Sequence, residues 1–561
     1  MTLRYFGFCT IYGTRIMALK ARTKAPSVRI QAAPALAMAL FEQKGLTDLI
    51  DSRFELDPRI KLTPGNAVKA MVGQMLSSER RRALFGLNDF YVQTPTERLF
   101  GKGVDLKALG ATAFSRNLDR LFEKDLGELT YECYSRLAGE YGLKSNMFNM
   151  DMTNFGVTSL SSYPDLIGAA VPERCGHAKD GHSERLVYSL LTVTDENGAV
   201  CYEKPYDGAT ADSEMDRHAI EFLSSKTDPN ETTLVADCKV VTAPLINLML
   251  EKGFGFVSKC PASFGKKIRG DIVRSVQTGT MDPSAIRDGW EIYDTDAETE
   301  ISKGVSRKLR YVAFRTTDDV TEGIEYLRNQ GLKEAEARFG RFESRTFNCE
   351  EDARRAFSEA MYEHVDSAYS VTGTVGPVEI DMGYGHRGRP RKGELPRKKT
   401  EYRVAVTMEF DEERAKALTQ DRGVRVLITN LPRANHDADN IRFGVTADTV
   451  LKAYLDQYRI EHAFRLMKDG MGIDRVYIHR PSRENAMMFV ISMATMVSDI
   501  VTHVLKENGI DLTMQNVSGK VYAMGLVCEG DEEYLDGSPE HEELFMRMAE
   551  SLKLDPDHLI D

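Results

Sequence analysis

The sequence predicts a mixed α/β protein built from several domains, and three observations carry that reading. At 561 residues the chain is too long for one hydrophobic core. Residues 42 to about 140 carry apolar side chains at helical spacing, as in Val68, Met71, Val72, Met75 and Leu76. From about 144 the pattern changes to strands, with a hairpin signal between the second and third and then alternating helix and strand, which describes a mixed sheet covered by helices. The pattern shifts divide the chain into a basic arm (1–41), a helical domain (42–140), the first part of an α/β core (141–262), an insertion (263–444), the second part of the core (445–510) and a C-terminal tail (511–561).

The arm holds Arg4, Arg15, Lys20, Arg22, Lys24 and Arg29 and no acidic residue. Its apolar run YFGFCTIY is too short for a membrane span, no signal-type cleavage site follows, and Met17 is an alternative start. In the helical domain, the basic run Arg80-Arg81-Arg82 follows one helix. A second helix, TAFSRNLDRLFE, opens with Thr112 as the expected N-cap and shows Ser115, Arg116, Asn117 and Arg120 outward, a face suited to solvent or to DNA.

The core strands are FNMDMTNFGV, then RLVYSLLTV and AVCYEKPY joined by the turn Asp195-Glu196-Asn197-Gly198. A helix around 214–224 leads to the strand TTLVADC, the helix APLINLMLEKG and the strand FGFVSKC. Asp151 lies inside the first strand and Asp237 at the end of the fourth. An ionised carboxylate in an apolar strand is costly without a partner. A helix cap or a lysine pair explains either one alone, whereas two on neighbouring strands of an open sheet point to a metal site.

The insertion contains KLRYVAF, YRVAVTMEF and GVRVLITNL as strands, the chain's single tryptophan, Trp290, and the segment 385–403, with eight Arg or Lys against two Glu. Proline and glycine deny that segment a helix, so Arg387, Arg389, Arg391 and Lys392 form an extended basic strip of the kind that enters an A·T-rich minor groove. The alternative is a solvated loop. Net charge is −12, so any nucleic acid contact must come from such local patches.

After the insertion, YLDQYRIEHAFRLMK (454–468) reads as one helix. Tyr454, Glu461, Arg465 and Lys468 fall within about 60° of one another, beside an apolar stripe of Ala453, Ile460, Phe464, Met467 and Met471. The bland reading is an amphipathic helix with ion pairs on its polar flank. The apolar segment 486–497 is expected as a buried helix. Eight cysteines, no two closer than 22 residues, fit neither a zinc cluster nor a disulfide framework and suit reduced thiols in the cytoplasm.

Asp151, Asp237 and Glu461 together form a set that can hold two divalent ions, with oxygen ligands suited to magnesium or manganese. Here the chain resembles the DDE transposases of bacterial and archaeal insertion sequences, in the branch with a Tyr-Arg-Glu-Lys signature and an insertion before the glutamate. Tyr454, Glu461 and Lys468 stand at the signature's spacing, and Gln457 replaces its arginine, a role open to Arg459 or Arg465. Asp151-Met152-Thr153, LVADC, HAKDGHSER (177–185) and HRGRP also resemble stretches of that family, as does the helical N-terminal region. The resemblance implies a ribonuclease-H-like core and a helical domain that binds DNA ends. It implies Mg²⁺ with Mn²⁺ as substitute, cleavage at an element's terminal inverted repeats, and attack of the new 3′-hydroxyl on target DNA. It further implies a homodimer in the synaptic complex, a prokaryotic cytoplasmic location, catalytic and metal-binding roles for Asp151, Asp237 and Glu461, and DNA contacts by Tyr454, Arg465 and Lys468. Trp290 is a candidate for holding a flipped nucleotide, with plain packing as its alternative. A two-metal nuclease of the same fold, or a DNA-binding protein that has lost catalysis, shares part of this pattern.

Overall fold

The structure is a computed structural model that describes residues 29–561 apart from 79–83, 158–173, 176–185, 209, 288, 363–366, 385–388, 394, 435–443, 471–474, 477, 479, 521–524, 530–531, 557–558 and 560–561. The expected arm up to residue 28, the run Arg80-Arg81-Arg82, HAKDGHSER, Arg387 and Met471 lie outside the described residues. The chain forms two compact units, Met1–Phe256 with Tyr454–Asp561, and Val257–Ala453.

In the first unit, helices gather around one long helix, Pro481–Glu507, whose residues from Glu484 to Ser498 are all buried. It packs against the helices Pro64–Met75, Ala111–Phe122 and Leu126–Tyr141. Among the described residues it alone is long and apolar enough to cross a membrane, and 83% of its most apolar window is buried within the protein. Local chemistry sets the ends of its neighbours. Thr63 caps Pro64–Met75 by accepting the Asn66 N–H at 3.2 Å, and Asp125 caps Leu126–Tyr141 by accepting the Glu128 N–H at 3.0 Å.

Four expectations change here. The helix Ala32–Gln43 is buried from Ala32 to Phe41, so residues 32–41 belong to the helical layer and not to the basic arm. Thr112 lies within the helix Ala111–Phe122, whose N-cap is Gly110. Asn117 is buried and donates to the Leu62 carbonyl at 3.0 Å, because Phe114, Asn117, Leu118 and Leu121 share one inward stripe. Residues expected as a tail are built in as well: Gly525–Glu529 pairs antiparallel with both Arg29–Gln31 and Glu532–Asp536. The helix Pro539–Ser551 is followed by Leu552, whose carbonyl accepts from Tyr141 at 2.9 Å.

The first unit's sheet runs in the order Val200–Asp207, Leu186–Asp195, Met147–Val157, Thr233–Ala236. The first two pairings are antiparallel and the third parallel. The hairpin turns where expected: Gly198 takes φ +91°, and Asp195 accepts the N–H groups of Asn197 and Ala199, each at 2.9 Å. The helix Asp212–Lys226 crosses over to reach Thr233–Ala236, as a parallel pairing requires.

In the second unit the strands pair antiparallel in the order Ala285–Arg287, Trp290–Ser302, Val305–Thr316, Arg425–Thr429 and the end of Gly255–Lys259. Its buried Arg310 grips Asp294 with two 2.9 Å bonds and donates to the carbonyls of Pro432 and Val445 at 3.0 and 2.8 Å. The helices Thr317–Phe339 and Glu350–Tyr362 pack Phe339, Ala353 and Ala360 against the base of a long hairpin, Tyr369–Asp381 with Lys398–Phe410.

Candidate active site

Asp151 and Asp237 are set side by side by strand register. Met150 lies opposite Ala236 in the parallel pair, so the next residue on each strand is a carboxylate. Asp151 accepts the Met152 N–H at 2.7 Å. Asp237 ends its strand by capping the short turn Cys238–Val240, accepting the Lys239 N–H at 2.7 Å. Both are half-buried.

Two further carboxylates, missed from the sequence, come from the helix Asp212–Lys226, which packs on the Asp151 strand and on the turn after Asp237. Asp216 is 2% exposed, and burial pushes its carboxyl up to about 8, with Asp237, Asp212 and Asp151 adding to the shift. Its Oδ2 has no hydrogen-bond partner. Asp212 pairs with Lys239, and that bond, with the field of Asp212, Asp237 and Asp151, holds the Lys239 ammonium above its usual range. The sequence carried one signal for Asp216: it shares the stripe of Ala219, Ile220 and Leu223, where an apolar residue is expected.

The segment 454–468 is not one helix. Ala447–Leu455 ends in a turn at Asp456 and Gln457, Tyr458–Arg465 comes next, and Leu466–Gly470 is π-helical. Asp456 is a poor residue for a helix interior, because its carboxylate competes for backbone donors. The common face inferred for Tyr454, Glu461, Arg465 and Lys468 therefore does not hold across the break. The apolar half of the reading does: Ala453, Ile460, Phe464 and Met467 are buried. Tyr458–Arg465 packs on the strands of Asp151 and Thr192, with Glu461 and Arg465 exposed. Arg459 lies with its Cβ and backbone carbonyl against Gly198 in the hairpin turn. Tyr454 is half-buried.

Lys468 is brought to the site. Its Nζ donates to Thr153 Oγ1 at 2.6 Å and stands 5.4 Å from the Phe155 ring centroid. Asp151, Thr153 and Phe155 share one strand face, so the ammonium is anchored two residues, about 7 Å, along the strand from Asp151. Thr192, opposite Asp151 on the neighbouring strand, is buried with its Oγ1 unpartnered.

In the second unit, Trp290 is half-buried with its ring 5.4 Å from that of Phe314, a packing contact. Arg389, Arg391 and Lys392 are exposed beyond the ends of the long hairpin and outside any helix, as the Pro and Gly content required. Among the described residues the five cysteines at 133, 201, 238, 260 and 349 are free.

Among the described residues no three His, Cys, Asp or Glu side chains converge closely enough to hold a metal ion. The donor set around Asp151 and Asp237 nevertheless has the character such an ion requires: two aligned carboxylates, a buried third with an unpartnered oxygen, and one lysine already paired with Asp212.

Residues 31–134 match a family model described as a domain of unknown function, DUF4277. No curated protein matches the chain. A solved structure described as "Cryo-EM structure of piggyBac transposase synaptic complex with hairpin DNA" aligns over 94% of this chain and 83% of its own, at 10% identity and a TM-score of 0.37. Likeness at that level fixes neither a fold nor an activity, and the family match covers the helical layer alone.

Proposed function

We propose that this chain is a transposase with a ribonuclease-H-like core that cuts DNA at the ends of a mobile element and joins the freed 3′ ends to target DNA. The observation that carries the reading is the register that places Asp151 and Asp237 on adjacent parallel strands with Lys468 on the Asp151 face. The strand order, with three antiparallel strands followed by one parallel to the first, supports the same core.

We assign Mg²⁺, or Mn²⁺ in its place, to Asp151, Asp237 and Glu461, three carboxylates that do not converge on one point among the described residues. Such ions, when bound, make a water or 3′-hydroxyl a better nucleophile and offset charge on the leaving oxygen. The chain's own part is to bind and align. Lys468, anchored by Thr153, brings positive charge to the strand face of Asp151, where it steadies the non-bridging oxygens of the scissile phosphate. Arg465 and Tyr454 contact the flanking backbone, which orients the DNA without reading its sequence. The basic strip at the hairpin tip of the second unit grips the duplex elsewhere.

The test is a cleavage and strand-transfer assay on labelled end DNA. Asp151→Ala, Asp237→Ala and Glu461→Ala should each lower cleavage by about a thousandfold or more, roughly 4 kcal/mol of transition-state stabilisation, with end binding retained. Near-normal cleavage by one variant removes that residue from the set. Cleavage by the wild type with no joined product favours a nuclease of the same fold.

A further inference from the structure

The tip of the long hairpin in the second unit combines cations with exposed apolar side chains. Leu395 is 85% exposed, Met382 60% and Tyr384 36%, so three large apolar residues with no core behind them lie within one turn-back of the chain. A single exposed apolar side chain is ordinary, whereas a group of them marks a contact surface. Between and beside them stand Arg389, Arg391, Lys392 and Arg397. Of the acids nearby, Glu379 pairs with Lys398 at 2.5 Å and Glu401 with Lys399 at 2.8 Å, while Asp381 accepts the Gly383 N–H at 2.8 Å.

The hairpin is built to carry this tip outward. Its two strands pair without a slip from Tyr369 opposite Phe410 to Asp381 opposite Lys398, and the pairing continues as Met382 donates to the Arg397 carbonyl at 2.7 Å. Side chains of the base, Tyr369, Val371 and Val404, are buried against the helices of that unit. Support ends near Val375 and Tyr402. Six further residues, Gly376 to Asp381, extend the ribbon by about 20 Å. Gly383 and Gly393, at φ +70° and +87°, bend the tip in open space, with nothing near a would-be Cβ.

We propose that this tip is a minor-groove wedge: the cations hold the phosphates on either side while Leu395, flanked by Met382 and Tyr384, enters a base step and kinks the duplex. Charge complementarity selects DNA as the occupant, and apolar insertion beside arginine is how minor-groove binders bend it. The wedge rests on the DNA-binding reading above and adds a specific action to it.

The experiment uses the full-length protein and end duplexes carrying 2-aminopurine at successive A·T positions, with a donor and acceptor dye at the two ends. Wild type should raise 2-aminopurine emission severalfold at one step and shorten the end-to-end distance. Leu395→Ala should lose most of both signals and keep the salt dependence of binding, because leucine neutralises no phosphate. Leu395→Phe, another apolar wedge, should restore unstacking. Tight binding by the wild type with no unstacked step, or full unstacking by Leu395→Ala, overturns the wedge and leaves DNA binding intact. Failure of the wild type to bind duplex at all overturns both.

Discussion

Glu203 supplies a prediction whose size is set by the structure. It lies on the strand Val200–Asp207, 1% exposed, opposite Thr192, which in turn lies opposite Asp151. Neither carboxylate oxygen has a hydrogen-bond partner, and burial, with Asp125 adding, pushes its carboxyl up from 4.5 to about 8. The group is therefore neutral in the folded protein at pH 7 and ionised in the unfolded chain. A carboxyl raised on folding stabilises fully below its unfolded value, and that contribution is lost as pH rises toward the folded value. Each pH unit in that window costs about 1.4 kcal/mol, so between pH 5 and 7 Glu203 alone removes about 3 kcal/mol of stability. Glu203→Gln keeps the shape and abolishes the titration. Chemical denaturation of both proteins, followed by far-UV dichroism at pH 5, 6 and 7, should show the variant's advantage growing by about 3 kcal/mol over that range. Parallel stability curves for the two proteins would refute the claim that Glu203 is buried neutral.

Three other outcomes rest on named contacts. Lys468→Ala and Tyr454→Phe should slow cleavage by about ten- to a hundredfold, less than loss of a carboxylate, because they position DNA; metal binding measured by calorimetry should be unchanged in both. Changing Arg389, Arg391 and Lys392 to Ala should flatten the slope of log affinity against log salt by about 3 units if all three meet phosphate, measured between 50 and 200 mM salt; an unchanged slope takes the strip off the DNA surface. Arg310→Met should destabilise the second unit by about 1 to 3 kcal/mol, because it removes both bonds to buried Asp294, which among the described residues keeps only Arg433 at 3.3 Å, and one of the two donors to each of the Pro432 and Val445 carbonyls. Trp290 fluorescence reports that unit, since no other tryptophan occurs in the chain.

The strands of the core were legible because their apolar residues alternate or run unbroken between turn residues. FNMDMTNFGV became Met147–Val157, and the Asp195–Gly198 turn formed from residues that favour it. The carboxylate pair was legible for the same reason: a charged residue in an apolar strand is conspicuous. Asp216 was not, because acidic residues in the first turns of a helix are also favoured by the helix dipole. Only its place on the stripe of Ala219, Ile220 and Leu223 distinguishes it. Asn117 failed in the opposite sense, read as outward although Phe114, Leu118 and Leu121 place it on the packed side. The pairing of Gly525–Glu529 with Arg29–Gln31 was illegible because the two lie some 500 residues apart, and no local pattern announces so distant a partner.

The helix of Glu461 shows where a helical wheel misleads. A helical wheel over 454–468 assumes one phase throughout, yet the chain turns at Asp456–Gln457 and widens to a π-helix at Leu466–Gly470. A π turn takes an extra residue, so it rotates the later residues relative to the α-helix before it. Lys468 lies inside that turn and reaches Thr153 on the Asp151 strand, while Glu461 and Arg465, one turn apart on the preceding α-helix, are exposed. A change of helical phase thus brings Lys468 to the carboxylate strand. The wheel assumed the opposite, an unbroken face shared with Tyr454. Restoring a plain α-helix through 466–470 would swing the ammonium away from Thr153, so the irregular turn is what sustains that contact.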